Sequence, residues 1–471
     1  MALNHGINVK KSDTNYTSVT TGTVGVPFVV GAAPVFCAED YTGDVVIVRS
    51  YAEAVQKLGW SDSWGKTGYG LCEAMYTQFK LFAMSPAVFV NVFDPATHKT
   101  AASAADFTVA NHSVRLPDFL NDASLVIKNG DTTVAATEYT AAYDGTDLII
   151  TLKSTSANYS ATTLNVAGNK AAPATVTKAQ IEAAIEKIET CKTALGIVPD
   201  LLLAPGWSDD AEVAQLLAAK AASINGLYHG KAVVDLSSAA AAADTYDDVK
   251  TYAVANGYTD ENMIVCWPLA KVGDKTVHMS LVVAGLMARI DAGNSGIPYE
   301  SPSNKSLPIT GCVNAAGTEI LLTVGQADAV SFDAGVVTAL NYDGWICWGN
   351  YTGCRSVAED DPAKVFICTN RMMDFVCNTF VSTFWEYVDR PLTSVLIDAI
   401  VNNFNSWLDG LTRNGALYGG EIAYVEDNNP TSDLLAGKFR LDTLMASPVP
   451  AQRIDLVVEF DADLLASALS V

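Results

Sequence analysis

Histidine is scarce in this chain: five residues in 471, at positions 5, 98, 112, 229 and 278. No two stand in the His-x-x-x-His spacing that puts a pair on one helix face, so that zinc motif is excluded. The nine cysteines include no Cys-x-x-Cys, and neither Cys347/Cys354 nor Cys368/Cys377 has histidines at zinc-like spacing. Buried free thiols are expected, with no metal and no cofactor. Basic residues are also few. Lys and Arg number 29 against 52 Asp and Glu, a formal net charge of −23. So negative a chain repels phosphate backbones and anionic lipid, which argues against nucleic acid or a membrane surface as partner. Long apolar runs are missing as well. The longest near the middle, residues 281–288, is too short to cross a bilayer. Residues 1–11 hold no apolar core of signal-peptide length, so synthesis and folding in a cytoplasm are expected.

Enzymatic motifs fall short in the same way. Gly65-Lys66-Thr67 invites a phosphate-loop reading, but the glycine required five residues earlier is Trp60. A turn packed with Trp60 and Trp64 fits better. Gly293-Asn294-Ser295-Gly296 is not the Gly-x-Ser-x-Gly elbow. The acidic pairs Asp209-Asp210 and Asp360-Asp361 stand where carboxylates favour a helix start. His278 borders an apolar run and reads as a core or surface histidine. No catalytic residue is assigned.

What is present is a globular composition, 49% hydrophobic and 17% charged, with a length that suggests about three domains. Residues 1–22 are polar and rich in Thr, Ser and Asn; they read as an extended arm or as a frayed terminus. Strands and helices then alternate. Residues 26–30 and 45–48 are short apolar strands. Ser50 and Glu53 have capping-box spacing ahead of a helix that Gly59 stops. Residues 71–82 read as a helix and 87–93 as a buried strand. Between 97 and 173 the composition shifts to Ala and Thr, with hairpin turns at Asn129-Gly130 and Asp144-Gly145. That block reads as a β domain inserted into an α/β domain. Helical periodicity returns at 177–195. The strand–helix–strand alternation that follows, through 201–203, 208–224 and 231–236, argues for a mostly parallel sheet.

From about residue 365 the pattern changes. Met372, Val376, Phe380, Phe384 and Val388 repeat every four residues, as do Met373, Cys377, Val381 and Trp385. So wide an apolar arc predicts a helix buried on most sides. A second helix is expected at 393–411, then strands at 421–425, 438–445 and 453–461. In the last, Ile454, Leu456, Val458 and Phe460 alternate with a mainly polar face, which predicts a half-buried strand.

Several segments, taken in order, resemble the contractile tail sheath family of bacteriophages and R-type bacteriocins. They are Gly25-Val-Pro-Phe-Val-Val-Gly31, Val48-Arg-Ser-Tyr-Ala-Glu-Ala-Val-Gln-Lys-Leu-Gly59 and Pro199-Asp-Leu-Leu-Leu-Ala-Pro-Gly206. The most specific set is Val283-Ala-Gly-Leu-Met-Ala-Arg-Ile-Asp291, Gly296 and Ser301-Pro-Ser-Asn304, followed by Leu340-Asn-Tyr-Asp-Gly344 and Trp348-Gly349. Asn370-Arg371, Asn405-x-Trp407-Leu408, Gly415-Ala-Leu417 and Gly437 complete it. The resemblance covers nearly the whole chain outside 97–173, and its order and spacing carry it rather than any single motif.

This resemblance implies an α/β core of subtilisin-like fold over 23–96 plus 175–360 and an inserted surface β domain at 97–174. It also implies an α+β carboxy-terminal domain at 361–461 that faces a tube, and extended arms at 1–22 and 462–471. The protease motifs are absent: Lys231 breaks the His229-Gly230 pattern, and no Gly-Thr-Ser-Met loop occurs. The implied function is a structural subunit, not an enzyme. It would form hexameric rings in a helical sheath around a tail tube protein, with baseplate and tail terminator proteins at the ends, in a virion tail or bacteriocin particle assembled in the host cytoplasm. It would contract from a metastable extended lattice and drive the tube through a cell envelope. Terminal arms would add strands to neighbouring subunits. The candidate interface residues are Thr14, Tyr16, Ser18 and Val19 at one end, and Ile454, Leu456, Val458, Phe460, Leu464, Leu465 and Leu469 at the other. Arg413 and Asn414 are candidate tube contacts, or the solvated end of a core helix. The rival readings are a serine hydrolase acting through Ser295 and the sheath of a related secretion or injection system.

Overall fold

The computed structural model describes residues 19–469. Runs such as Phe28-Val29-Val30, Val88-Phe89-Val90, Leu201-Leu202-Leu203 and Ala232-Val233-Val234 lose nearly all contact with solvent. Strands apolar on both faces need covering on both sides, and that is the environment of a parallel sheet between helices. They form one eight-stranded sheet in the order Trp345–Trp348, Val336–Asn341, Met263–Cys266, Lys231–Asp235, Leu201–Leu203, Pro27–Gly31, Ala87–Asn91, Val45–Val48. The six central strands are parallel and the two edge strands antiparallel.

The expected cap forms at Tyr51–Leu58. Ser50 Oγ accepts from the Glu53 amide at 3.2 Å, and Glu53 Oε2 accepts from Arg49 N–H at 2.7 Å. Gly59 ends the helix at φ 76°, where an added Cβ would lie 2.4 Å from Pro34 O. The helix expected at 71–82 is regular only over Gly70–Met75. It widens to a π-helix over Tyr76–Leu81, where Thr77 Oγ1 donates to Glu73 O and perturbs the ladder.

Residues 99–171 form a four-stranded and a three-stranded sheet around their own cluster, including Val114, Phe119, Leu148, Ile150, Leu164 and Val166. The two glycine turns sit at hairpin ends, with Gly130 at φ 58° and Gly145 at φ 61°. The longest strand there, Lys99–Thr108, is mostly exposed and small-residue, so it carries no alternating signal.

The long helix Ile367–Phe384 docks on this core through polar groups. Arg371 is buried between two carboxylates. Its Nη2 lies 2.6 Å from Asp291 Oδ2 and 3.1 Å from Asp200 Oδ2, and Nη1 is 3.1 Å from Asp291 Oδ1. Burial opposes the guanidinium's charge, but the two carboxylates more than offset that and hold it protonated. Asp200 Oδ1 also accepts from Val26 N–H at 2.8 Å. Gly25 passes the same spot at φ 70°, where a Cβ would be 3.0 Å from Ala288 Cα and 3.2 Å from Asp291 Oδ2. Further along the helix, Asp374 pairs with buried Lys231 at 2.7 Å, and Asn378 brackets the backbone of His229 with bonds of 2.8 and 2.7 Å.

A second buried polar cluster lies at the carboxyl ends of the central strands. Glu73 Oε1 is 2.8 Å from His278 Nδ1 and accepts His278 N–H at 2.6 Å. Asp235 accepts from Ser280 Oγ and N–H at 2.6 and 2.8 Å, and Ser208 Oγ accepts from Asp235 N–H. Together they fix the start of the apolar helix Met279–Gly293. Burial works against charge on His278, but Glu73, with Asp235 and Asp209 beyond, raises its pKa to about 9.

Two outcomes follow. Arg371→Ala leaves two buried carboxylates without their cation and should cost roughly 3–5 kcal/mol in urea unfolding of the free subunit; a loss under about 1 kcal/mol would contradict the role given to Arg371. The raised folded-state pKa of His278 means that its contribution is complete below its ordinary value of 6.5 and is lost as pH rises through about 9. The melting temperature of His278→Gln should therefore fall below wild type at pH 6, with the gap closing towards pH 10.

Candidate assembly interface

The carboxy-terminal unit is built on the helix Ser394–Arg413, capped by Thr393 Oγ1 accepting from Leu396 N–H. Ile400, Phe404, Leu408 and Leu411 recur on one face and bury against Met372, Phe375 and Val376 of the long helix. Two strands follow, Gly419–Ala423 and Asp442–Ala446, paired antiparallel with Ile422 opposite Thr443. This ribbon has no third strand among the described residues.

Two asparagines treat the ribbon's backbone as a strand would. Asn429 accepts from Arg440 N–H at 2.6 Å and donates to Arg440 O at 2.9 Å, which carries the inner ladder one rung further. Asn405 accepts from Ile422 N–H at 2.8 Å and donates to Ile422 O at 2.9 Å. Those Ile422 groups therefore point away from the partner strand. In an antiparallel ladder the orientation alternates, so Thr443, and with it Leu441 and Met445, present N–H and C=O to the opposite edge. Phe439, Leu441 and Met445 turn their side chains onto the helical cluster. Beside them a groove of about 450 Å³ runs along the long helix, lined by Met373, Val376, Cys377, Phe380 and Val381.

That groove revises the expectation for the long helix. The stripe Met372, Val376, Phe384 is buried, but Met373 is 39% exposed, Cys377 is exposed, and Trp385 and Val388 beyond it are 59% and 61% exposed. Among the described residues Val381 of the second apolar stripe packs against the core, while Met373, Cys377 and Trp385 stay exposed.

The half-buried strand expected at 453–461 does not form either. Residues 451–461 have no regular structure, and Ile454, Leu456, Val458 and Phe460 are 79–88% exposed. Alternation makes one face apolar, but burial needs a surface to lie on, and the described residues do not cover this segment. Tyr351 Oη donates to Gln452 Oε1 at 2.8 Å where the segment departs. The described part of the carboxy-terminal arm, residues 462–469, is also not extended. Ala462–Leu469 is a helix whose Asp463 and Leu464 amides donate to Asp461 Oδ1, and Ala and Leu favour that state. Leu464, Leu465 and Leu469 lie exposed on it.

At the other end, Thr14, Tyr16 and Ser18 lie outside the described residues. Val19 is half-buried. Thr20 and Gly22 N–H donate to Thr383 Oγ1 and Thr379 Oγ1, so this segment runs along the long helix. Arg413 and Asn414 are exposed at the end of Ser394–Arg413. Sequence reasoning passed over Asn405 as an edge residue, because its role depends on a contact 17 residues away. Ser295 belongs to a turn at φ 59°, while His98, His112, His229 and His278 bond to Gln180, Tyr159 O, Ala222 O and Glu73. None of these assembles a serine–histidine pair.

No family model matches the chain. It is 25% identical over 408 residues to the tail sheath protein of Burkholderia phage BcepMu, covering 82% of this chain and 83% of that protein. It is 27% identical over 262 residues to the tail sheath protein of Escherichia phage P2, covering 54% of this chain. The chain is a homologue of phage tail sheath proteins. The match spans about three fifths of the P2 protein's length, 61%. Its fold matches a chain of the anti-feeding prophage baseplate, with TM-score 0.61 and 14% identity over 98% of this chain and 99% of that one. It also matches the contracted sheath complex of the PVC extracellular contractile injection system, with TM-score 0.60 and 14% identity over 98% of this chain and 100% of that one. At such identities these likenesses establish the fold, and the fold is that of contractile sheath proteins.

The exposure pattern sets a simple test. Cys377 is exposed and Cys37 half-buried, while the other seven cysteines are buried. Thiol labelling of the native free subunit should modify Cys377 first, and Cys377→Ser should remove the fast phase.

Proposed function

We propose that this chain is the subunit of a contractile sheath that polymerises as hexameric rings in a helical lattice around an inner tube and contracts from a metastable to a more stable packing. One observation carries the reading: the side chains of an apolar-alternating segment, residues 454–460, lie exposed, while the ribbon keeps an open strand edge at Asp442–Ala446 beside an apolar groove. A segment donated from a second copy satisfies the open N–H and C=O groups and turns Ile454, Leu456, Val458 and Phe460 into the groove. Each backbone bond so made is worth about 0.5–1.5 kcal/mol net, and burial of four large apolar side chains adds to that.

The amino-terminal arm, with Thr14, Tyr16, Ser18 and Val19, is a second donor, launched from the end of the long helix. The helix 462–469 travels with the carboxy-terminal donor, and its three leucines seat on a neighbour. Arg413 and Asn414 face the tube, and the block at 97–174 faces outward. The large sheet with its apolar helix Met279–Gly293 is read as a subtilisin-like core without protease chemistry, so no catalytic step is assigned. Contraction needs no bound nucleotide: donated strands tether subunits while the bodies rotate between two packings.

The test uses residues that are 85% and 81% exposed in the free subunit. Leu456→Asp with Val458→Asp should leave unfolding within about 0.5 kcal/mol of wild type and abolish sheath-like polymers in sedimentation and negative-stain microscopy. Normal tubes from the double variant would refute strand donation by this segment.

A further inference from the structure

The ribbon has two edges, and both have room beside them. Next to Asp442–Ala446 lies the groove along the long helix. Next to Gly419–Ala423 lies a second one, of about 770 Å³, lined by Leu392, Ile397, Val401, Tyr424 and Leu435. On shape and apolarity alone a donated strand could join either side, and a subunit with two acceptor edges would branch or assemble out of register. The difference between the edges is Asn405.

We infer that Asn405 is an edge plug that makes the ribbon a one-sided acceptor, so that a donated strand joins only at Asp442–Ala446. This rests on the strand-donation reading above. Residues pointing outward from Gly419–Ala423 are Gly420 and Ile422, continuing at Tyr424. An incoming strand needs these rungs in succession. The carboxamide of Asn405 occupies both groups of the middle one, at 2.8 and 2.9 Å. It imitates a peptide unit and so removes the penalty of leaving them unpaired, while offering nothing onward to a strand. Its position is rigid, because Phe404 and Leu408 on the same helix are buried at 1% and 0% exposure. Among the described residues no side chain brackets the backbone of the opposite edge: Asn429 bonds Arg440 on the inner side and extends the ladder, and Asn428 reaches only the Asp442 carboxylate. A second donated strand would then have to add onto the first.

The experiment uses full-length subunit below its polymerisation concentration and a peptide of residues 452–461 carrying a photoreactive phenylalanine analogue at position 460. In wild type, cross-links should fall on residues 439–445 and the facing long helix, with one peptide bound. Asn405→Ala should add cross-links at residues 419–424 and bind a second peptide. Asn405→Asp keeps the size but loses the donor to Ile422 O; it should do the same, and it serves if the alanine variant does not fold. Hydrogen exchange at the Ile422 amide should be about threefold to tenfold faster in Asn405→Ala. A folded variant that still binds one peptide at residues 439–445 overturns the plug. Unchanged Ile422 exchange overturns it independently of any peptide. A peptide that cross-links to neither edge of wild type instead defeats strand donation.

Discussion

The buried guanidinium of Arg371 is the contact on which three otherwise separate parts depend. It belongs to the long helix, and its two carboxylates belong to the core, Asp200 just before a central strand and Asp291 near the end of the apolar helix. Asp200 also holds the amide of Val26, where the amino-terminal segment becomes the first strand. One side chain thus fixes the carboxy-terminal unit, the core and the entry of the amino-terminal segment relative to one another. A guanidinium suits this junction because it stays charged and offers several donors in a fixed plane. Lys231–Asp374 and His229–Asn378 extend the join along the same helix face, so the long helix meets the core through polar contacts of defined geometry.

Asparagine recurs as a substitute for backbone. Asn378, Asn405 and Asn429 each bracket the N–H and C=O of one residue. A carboxamide has one acceptor and donors in the geometry of a peptide unit, so it can end a ladder or continue it as its position dictates. On the proposed reading, in which one strand edge accepts a segment of another copy, closing the remaining edges matters as much as shaping the open one.

The free subunit leaves apolar surface uncovered in complementary places: a stripe on the long helix, the edge of a two-stranded ribbon, and a seven-residue tail segment. A two-stranded ribbon is a marginal structure by itself, and here helix Ser394–Arg413 supports it from one side. The high negative charge opposes random association of such surfaces; on the proposed reading a specific backbone match overrides that repulsion locally.

Local signals were enough for much of this. Ser50 with Glu53, the stop at Gly59, the turns at Gly130 and Gly145, and the fully apolar central strands are legible because each depends on residues within one turn or one strand. The sequence by itself determined these elements, their mostly parallel arrangement, and the family likeness carried by ordered short motifs. It misjudged the second stripe of the long helix and residues 453–461, for one reason: periodicity reports that a face is apolar, not whether its own chain covers it. It also passed over Lys99–Thr108, whose small exposed residues have no period, and it gave no sign that Arg371 joins Asp200 and Asp291 or that Asn405 closes an edge. Those pairings span 171, 80 and 17 residues, and only the tertiary structure, which brings distant backbone and charge together, decides them.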